Sequence, residues 1–216
     1  MDGERRLPDI ADSDARQRQL TRLGNAANGA GLCLLMLGRG EEAAEWFDRA
    51  ARRWRESYAD APPGSWGRPV GVIKARILGG DWLSAEVDAR RTLGDGAAKS
   101  NSPIGVYAAC LALLVLGQDL FARRAAESLR GREDFPRAVA DALAALAAGK
   151  REPYSEAVAA VLESFETRED FLEDIPVADT VLVLQALAER RGTATPLESE
   201  LLPSPSAPAS SDERPA

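Results

Sequence analysis

The 216-residue sequence predicts an all-α protein, a short solenoid of stacked antiparallel helical hairpins. Three observations carry that expectation. Ala and Leu fill the apolar stretches while β-branched runs are scarce, which favours helix over strand. Gly stands at the end of successive apolar stretches, at positions 38, 80, 117 and 149, and a more polar amphipathic stretch follows each at once. The intervals between these glycines fall near the roughly 34 to 47 residues of helix-pair repeats.

The elements follow in order. Met1 to Ser13 is polar and acidic and reads as a disordered segment ahead of a helical domain spanning 14–192. The apolar run Ala26–Leu37 stops at Gly38. Glu41–Tyr58 follows, with Trp46, Phe47, Ala50 and Trp54 spaced for one helical face. Ala61–Gly67 is a Pro/Gly loop. The run Val70–Leu78 ends at Gly79-Gly80, and Asp81 is placed to cap Trp82–Leu93. After a loop to Pro103, the run Ile104–Leu116 ends at Gly117, with Asp119 opening Leu120–Leu129. Gly131–Pro136 is the next break, Ala148-Gly149 ends the following helix, and another starts near Pro153. Glu173–Pro176 interrupts the chain before a last helix, Val177–Arg191, stopped by Gly192. Residues 193–216 are rich in Pro, Ser, Ala and acids and read as a disordered tail. The glycines share one cause. Helices often end on a left-handed residue, which Gly adopts without a Cβ penalty. A short link then turns the next helix antiparallel. Ala43, Ala85 and Ala122 hold the same place after the turn, where a small side chain lets two helices approach.

Composition narrows the function. A net charge of −7 repels phosphate backbones, so nucleic acid is not an expected partner. The chain has no His, which removes His-based triads, general bases and metal ligands. Cys33 and Cys110 lie in apolar helical stretches and read as small buried hydrophobes. The acidic pairs Glu41-Glu42, Glu133-Asp134, Glu169-Asp170 and Glu173-Asp174 fall at helix starts or in loops, where the helix dipole favours acids. A helix-borne di-metal site adds His to such acids. No phosphate-binding loop, dinucleotide fingerprint or nucleophile elbow occurs. We therefore expect no enzyme activity, no metal and no cofactor. The runs Ala26–Leu37 and Ile104–Leu116 fall short of the ~20 residues that span a bilayer, so no membrane role and a cytoplasmic location are expected.

Leu23 to Arg53 resembles a tetratricopeptide repeat. Gly31 matches the small residue of that family's first helix, Gly38 its turn, and Ala43, Phe47 and Ala50 the small, aromatic and small positions of its second helix. Gly80-Asp81-Trp82 with Ala85 resembles the same turn again, Gly117 to Ala122 more weakly, and the fourth unit keeps only the turn. The family's Pro at the repeat end is missing after the first unit, unless Pro62 has taken over. The resemblance implies a superhelix whose concave face holds peptides or protein partners and implies no chemistry. A fainter resemblance is to bacterial immunity proteins of the Imm49 type, on Leu187 to Gly192 and then Leu201-Leu202-Pro203.

If the hairpins stack as that family's do, first helices line the concave face. Asn25 and Asn28 share one face of an otherwise apolar helix. Asn is a poor interior helix former, so the pair points either to a clamp on a peptide backbone or terminal carboxylate, or to a capping region. Lys74 either faces the same groove or buries its stem with a wet head. Tyr107 takes a comparable place in the third unit, or lies in the core with its hydroxyl reaching water. Trp66 is either an exposed anchor or a plug that pins its loop. The Arg pairs at 52-53, 90-91, 123-124 and 190-191 are out of phase and acid-flanked, a solvated face rather than a nucleic-acid stripe. The resulting expectation is a non-catalytic helical-repeat scaffold or adaptor for a protein or peptide. The alternative is a toxin-neutralising immunity protein acting from its surface.

Overall fold

The structure is a computed structural model and describes Leu7, Ile10 and residues 12–204. Among the described residues it is all helical, with nine α-helices and no strand. They are α1 (Ser13–Met36), α2 (Gly40–Ala59), α3 (Gly67–Leu78), α4 (Trp82–Gly94), α5 (Pro103–Val115), α6 (Asp119–Arg130), α7 (Arg137–Ala147), α8 (Arg151–Glu166) and α9 (Asp179–Glu189).

The turn glycines close α1, α3, α5 and α7 in one way. Gly38, Gly80, Gly117 and Gly149 all have φ between 63° and 72°. At Gly117 the glycine N–H donates to Leu114 O at 3.2 Å, and Gln118 N–H reaches back to Leu113 O at 2.9 Å. That is the Schellman pattern, and it satisfies the last carbonyls of the helix. The same two bonds recur at the other three turns and again at Gly192, which ends α9. Asp81 caps α4 as its position implies, accepting from Ser84 N–H at 3.0 Å. Asp119 makes no cap bond and instead accepts from Arg191 at 2.7 Å.

Each helix packs on the next in the chain; α5 also packs on α3, and α9 lies back against α3, α7 and α8. Small residues set the close approaches. Ala43, Ala85 and Ala122 are fully buried. A Cβ on Gly31 would sit 2.8 Å from the Phe47 ring, and Trp54 is held between Gly24 of α1 and Gly71 of α3. In the fourth unit the matching place belongs to buried Tyr154, whose hydroxyl donates to Gln185 of α9 at 2.8 Å. The core divides at α3. Val72 and Ala75 pack with α1 and α2, while Ile73 and Ile77 join the larger cluster that runs to α9.

Arg76 of α3, 4% exposed, links three neighbours: it contacts Asp48 of α2 at 2.5 Å, Asp81 at 3.1 Å and Asp88 of α4 at 3.4 Å. Arg55 closes on the same Asp88. Buried charges persist only when paired in this manner.

Two sequence expectations need correction. Residues 193–204 are packed and do not belong to a tail: Leu201 O accepts from Ala178 N–H at 3.0 Å, Gln185 donates to Thr195 O at 2.5 Å, and Leu202 is buried. Polar composition hid this because the segment is held by a few anchors and not by its own periodicity. Residues 205–216, and most of the segment 1–13, lie outside the described residues. Cys110 is buried, and burial pushes its thiol up to about 12, but Cys33 is exposed because it falls on the outward face of α1.

Candidate functional site

α1 is long and mostly apolar where it meets α2, so any polar residue on its other face is placed toward whatever covers that face. Asn25, Asn28 and Gly29 stand there. What covers them is the link between α8 and α9, residues 167–178, which crosses α1 with only one 3-10 turn, Leu172–Asp174. Asn25 Nδ2 donates to Glu173 Oε1 at 3.1 Å, while its Oδ1 accepts from Trp54 Nε1 at 3.1 Å. Ile175 Cδ1 occupies the place a Cβ on Gly29 would take.

Lys74 comes to the same region from α3. Its Nζ donates to Asp179 Oδ2 at 2.5 Å and to Thr180 Oγ1 at 3.1 Å at the start of α9. Its head is therefore paired and largely buried, not wet. Two hollows flank the link. One, of about 210 Å³, is lined by Asn25, Asn28, Gly29, Arg168, Glu173 and Ile175 among others. The other, of about 350 Å³, is lined by Thr21, Asn25, Asn28, Arg68, Lys74 and Asp179 among others. Asn28 touches both. It is 7% exposed, and its carboxamide makes no hydrogen bond to a described residue.

The cations of these walls differ. Lys74 is neutralised by Asp179. Arg68 bonds only to neutral groups, Ser57 Oγ at 2.8 Å and Gln17 Oε1. Burial lowers its pKa, yet a guanidinium stays charged at any physiological pH. Arg168 stacks 3.7 Å from the Phe165 ring centroid and donates to Ser164 O at 3.1 Å.

The five candidate residues thus separate. Asn25, Asn28 and Lys74 converge on one face. Tyr107 is buried 5.4 Å from the Phe135 ring, and burial, then the nearby Asp179 carboxylate, push its phenol above the ordinary range. Trp66 is not with them. It is buried against Ala97, Ala108 and Ala109, 6.2 Å from Tyr58, and pins its loop. Sequence reasoning did not place Glu173, Ile175 and Asp179 at the site. The only signal was a Glu-Asp-Ile-Pro break, which names a loop without saying where it lands.

Elsewhere, Leu83 and Val87 of α4 and Leu120 and Phe121 of α6 are each more than half exposed, and a hollow of about 570 Å³ lies beside Phe121 over α5. Among the described residues no three His, Cys, Asp or Glu gather as metal ligands, and no helix is long and apolar enough to cross a membrane. Comparison of the chain with protein-family models, with curated proteins and with solved structures found no match.

Proposed function

We propose that this protein is a non-catalytic scaffold or adaptor, with helical hairpins stacked in the tetratricopeptide manner, that binds a polypeptide at the face built from Asn25, Asn28 and Lys74. The observation that carries the reading is Asn28. It is 7% exposed and its side chain makes no hydrogen bond to a described residue, yet its carboxamide atoms are not shut off from solvent, so both its donor and its acceptor stay open to a ligand in the hollows. Its donor and acceptor side by side match one peptide unit of an extended chain. Asn25 and Lys74 add polar groups to two hollows whose apolar walls include Leu32, Trp54 and Val70.

The test is affinity capture from the source cell with the wild-type chain and with Asn28→Leu combined with Lys74→Ala. A stoichiometric polypeptide recovered by the first and lost by the second is expected. Recovery of only a metabolite, or a partner that binds both chains equally, rejects the assignment.

A second reading, a toxin-neutralising immunity protein that works from its surface, is favoured by the exposed Leu83, Val87, Leu120 and Phe121. In that case the captured partner is a folded toxin. It is lost on Leu83→Glu with Phe121→Glu and retained by the Asn28–Lys74 variant.

A further inference from the structure

We propose that the link Phe171–Val177 is a built-in occupant of the Asn25–Asn28 face, and that the partner taken there is an extended acidic peptide with an aliphatic side chain. This rests on the peptide-binding reading above. The link behaves as a ligand held in place by covalent connection. Its Glu173 carboxylate sits on Asn25, and its Ile175 side chain is received by Gly29, the one residue whose missing Cβ leaves room for it.

It is also an imperfect occupant. Glu173 and Asp174 both adopt left-handed φ, 54° and 57°, which L side chains rarely hold. The link's backbone bonds are internal: Asp174 N–H to Phe171 O at 3.1 Å and Ile175 N–H to Leu172 O at 3.2 Å. Leu172 is 66% exposed although it borders both hollows. Asn28 receives nothing from the link. A peptide lying extended across α1 relieves the strain, gives Asn28 a backbone partner and covers with its own aliphatic side chain the core that Ile175 and Val177 cover now. α9 stays in place throughout, since Val181, Leu184 and Leu187 are fully buried.

Charge selects the partner. In a chain of net charge −7, the two hollows are flanked by Arg68 and Arg168, whose described hydrogen-bond partners are all neutral. A carboxylate in either hollow meets a guanidinium not already matched to an acid, and such pairs are the stronger hydrogen bonds.

The experiment is a fluorescence-anisotropy titration with a labelled peptide of residues 169–177, Glu-Asp-Phe-Leu-Glu-Asp-Ile-Pro-Val. It is added to the full chain and to the chain carrying Glu173→Gln with Ile175→Ser, which frees the face. At least tenfold tighter binding to the variant is expected. Ile175→Ser alone, which leaves Glu173 in place and the Gly29 notch open to the peptide's own isoleucine, must raise affinity in the same direction, so misfolding of one variant does not protect the proposal. Equal affinity for wild type and both variants overturns it. So does equal binding of a control peptide with its four acids replaced by Gln and Asn. If the strap variants change nothing but the captured partner is still lost with Asn28→Leu and Lys74→Ala, the peptide-binding reading stands and only the built-in occupant is rejected.

Discussion

Two glycines show how differently one residue type constrains this chain. Gly31 has ordinary helical backbone, but Phe47 lies where its Cβ would go. Gly117 has open space around it, yet its φ of 67° belongs to the left-handed region. Gly31→Ala is therefore an overpacking change, expected to cost about 1–3 kcal/mol. Gly117→Ala pays only the backbone penalty, about 1 kcal/mol. Gly117→Asn recovers part of that loss and Gly31→Asn recovers none, because Asn tolerates the left-handed region but is larger than Ala. Urea unfolding of the four variants separates the two causes; a recovery by Asn at both positions contradicts the assignment.

At the scale of elements, α9 is the unexpected member. The chain could have ended its helical stack at α8, since α7 and α8 pack on one another as the earlier helices do. Instead α9 lies back against α3, α7 and α8, and the following segment adds Leu202 to the core. Val181, Val183, Leu184, Leu187 and Ala188 are fully buried, and Arg191 reaches Leu114 O at 2.6 Å. A chain ending after Pro176 uncovers the apolar faces of α3 and α7. We expect it to keep most of its helical far-UV signal, to bind ANS and to lose a sharp unfolding transition, as packing is lost before helices are. A truncated chain that unfolds with unchanged cooperativity shows that α9 is an accessory.

For the whole molecule, the ion network around Arg76 joins three helices and carries a pH dependence. Burial alone raises the Asp48 and Asp81 carboxyls, but Arg76 and their other hydrogen bonds, from Arg52 and Ser84, hold both below the usual carboxylate value. A depressed folded pKa means the folded state binds fewer protons than the unfolded chain. The contribution is thus complete above about pH 4 and is lost as pH falls further. Both carboxylates are partly exposed, so each effect is screened. The expected result is a urea midpoint that drops between pH 5 and 3. In Arg76→Met the stability at pH 7 is already lower, by about 3 kcal/mol, and the further drop is smaller. An unchanged pH slope in that variant shows that other carboxylates dominate.

The helical class, the turns and the order of elements were legible in the sequence because they depend on neighbours in the chain. A glycine after an apolar run ends a helix wherever the run is placed, and five such turns formed alike. The small residues Gly31 and Ala43 were legible for the same reason. The site was legible by half. Asn25, Asn28 and Lys74 announced themselves as polar residues on apolar helices, which is a local anomaly. Trp66 stood out differently, as an aromatic in a Pro/Gly loop, and the fold buries it against Ala97, Ala108 and Ala109. What covers the three remained invisible, because Glu173 meets Asn25 across 148 residues and Lys74 meets Asp179 across 105. No periodicity encodes such pairings. They exist because α9 buries its apolar face against α3, α7 and α8, and that burial drags a strained acidic link across α1. The sequence by itself determined the helices and their ends; only the tertiary structure decided that the face expected to receive a partner already holds a piece of its own chain.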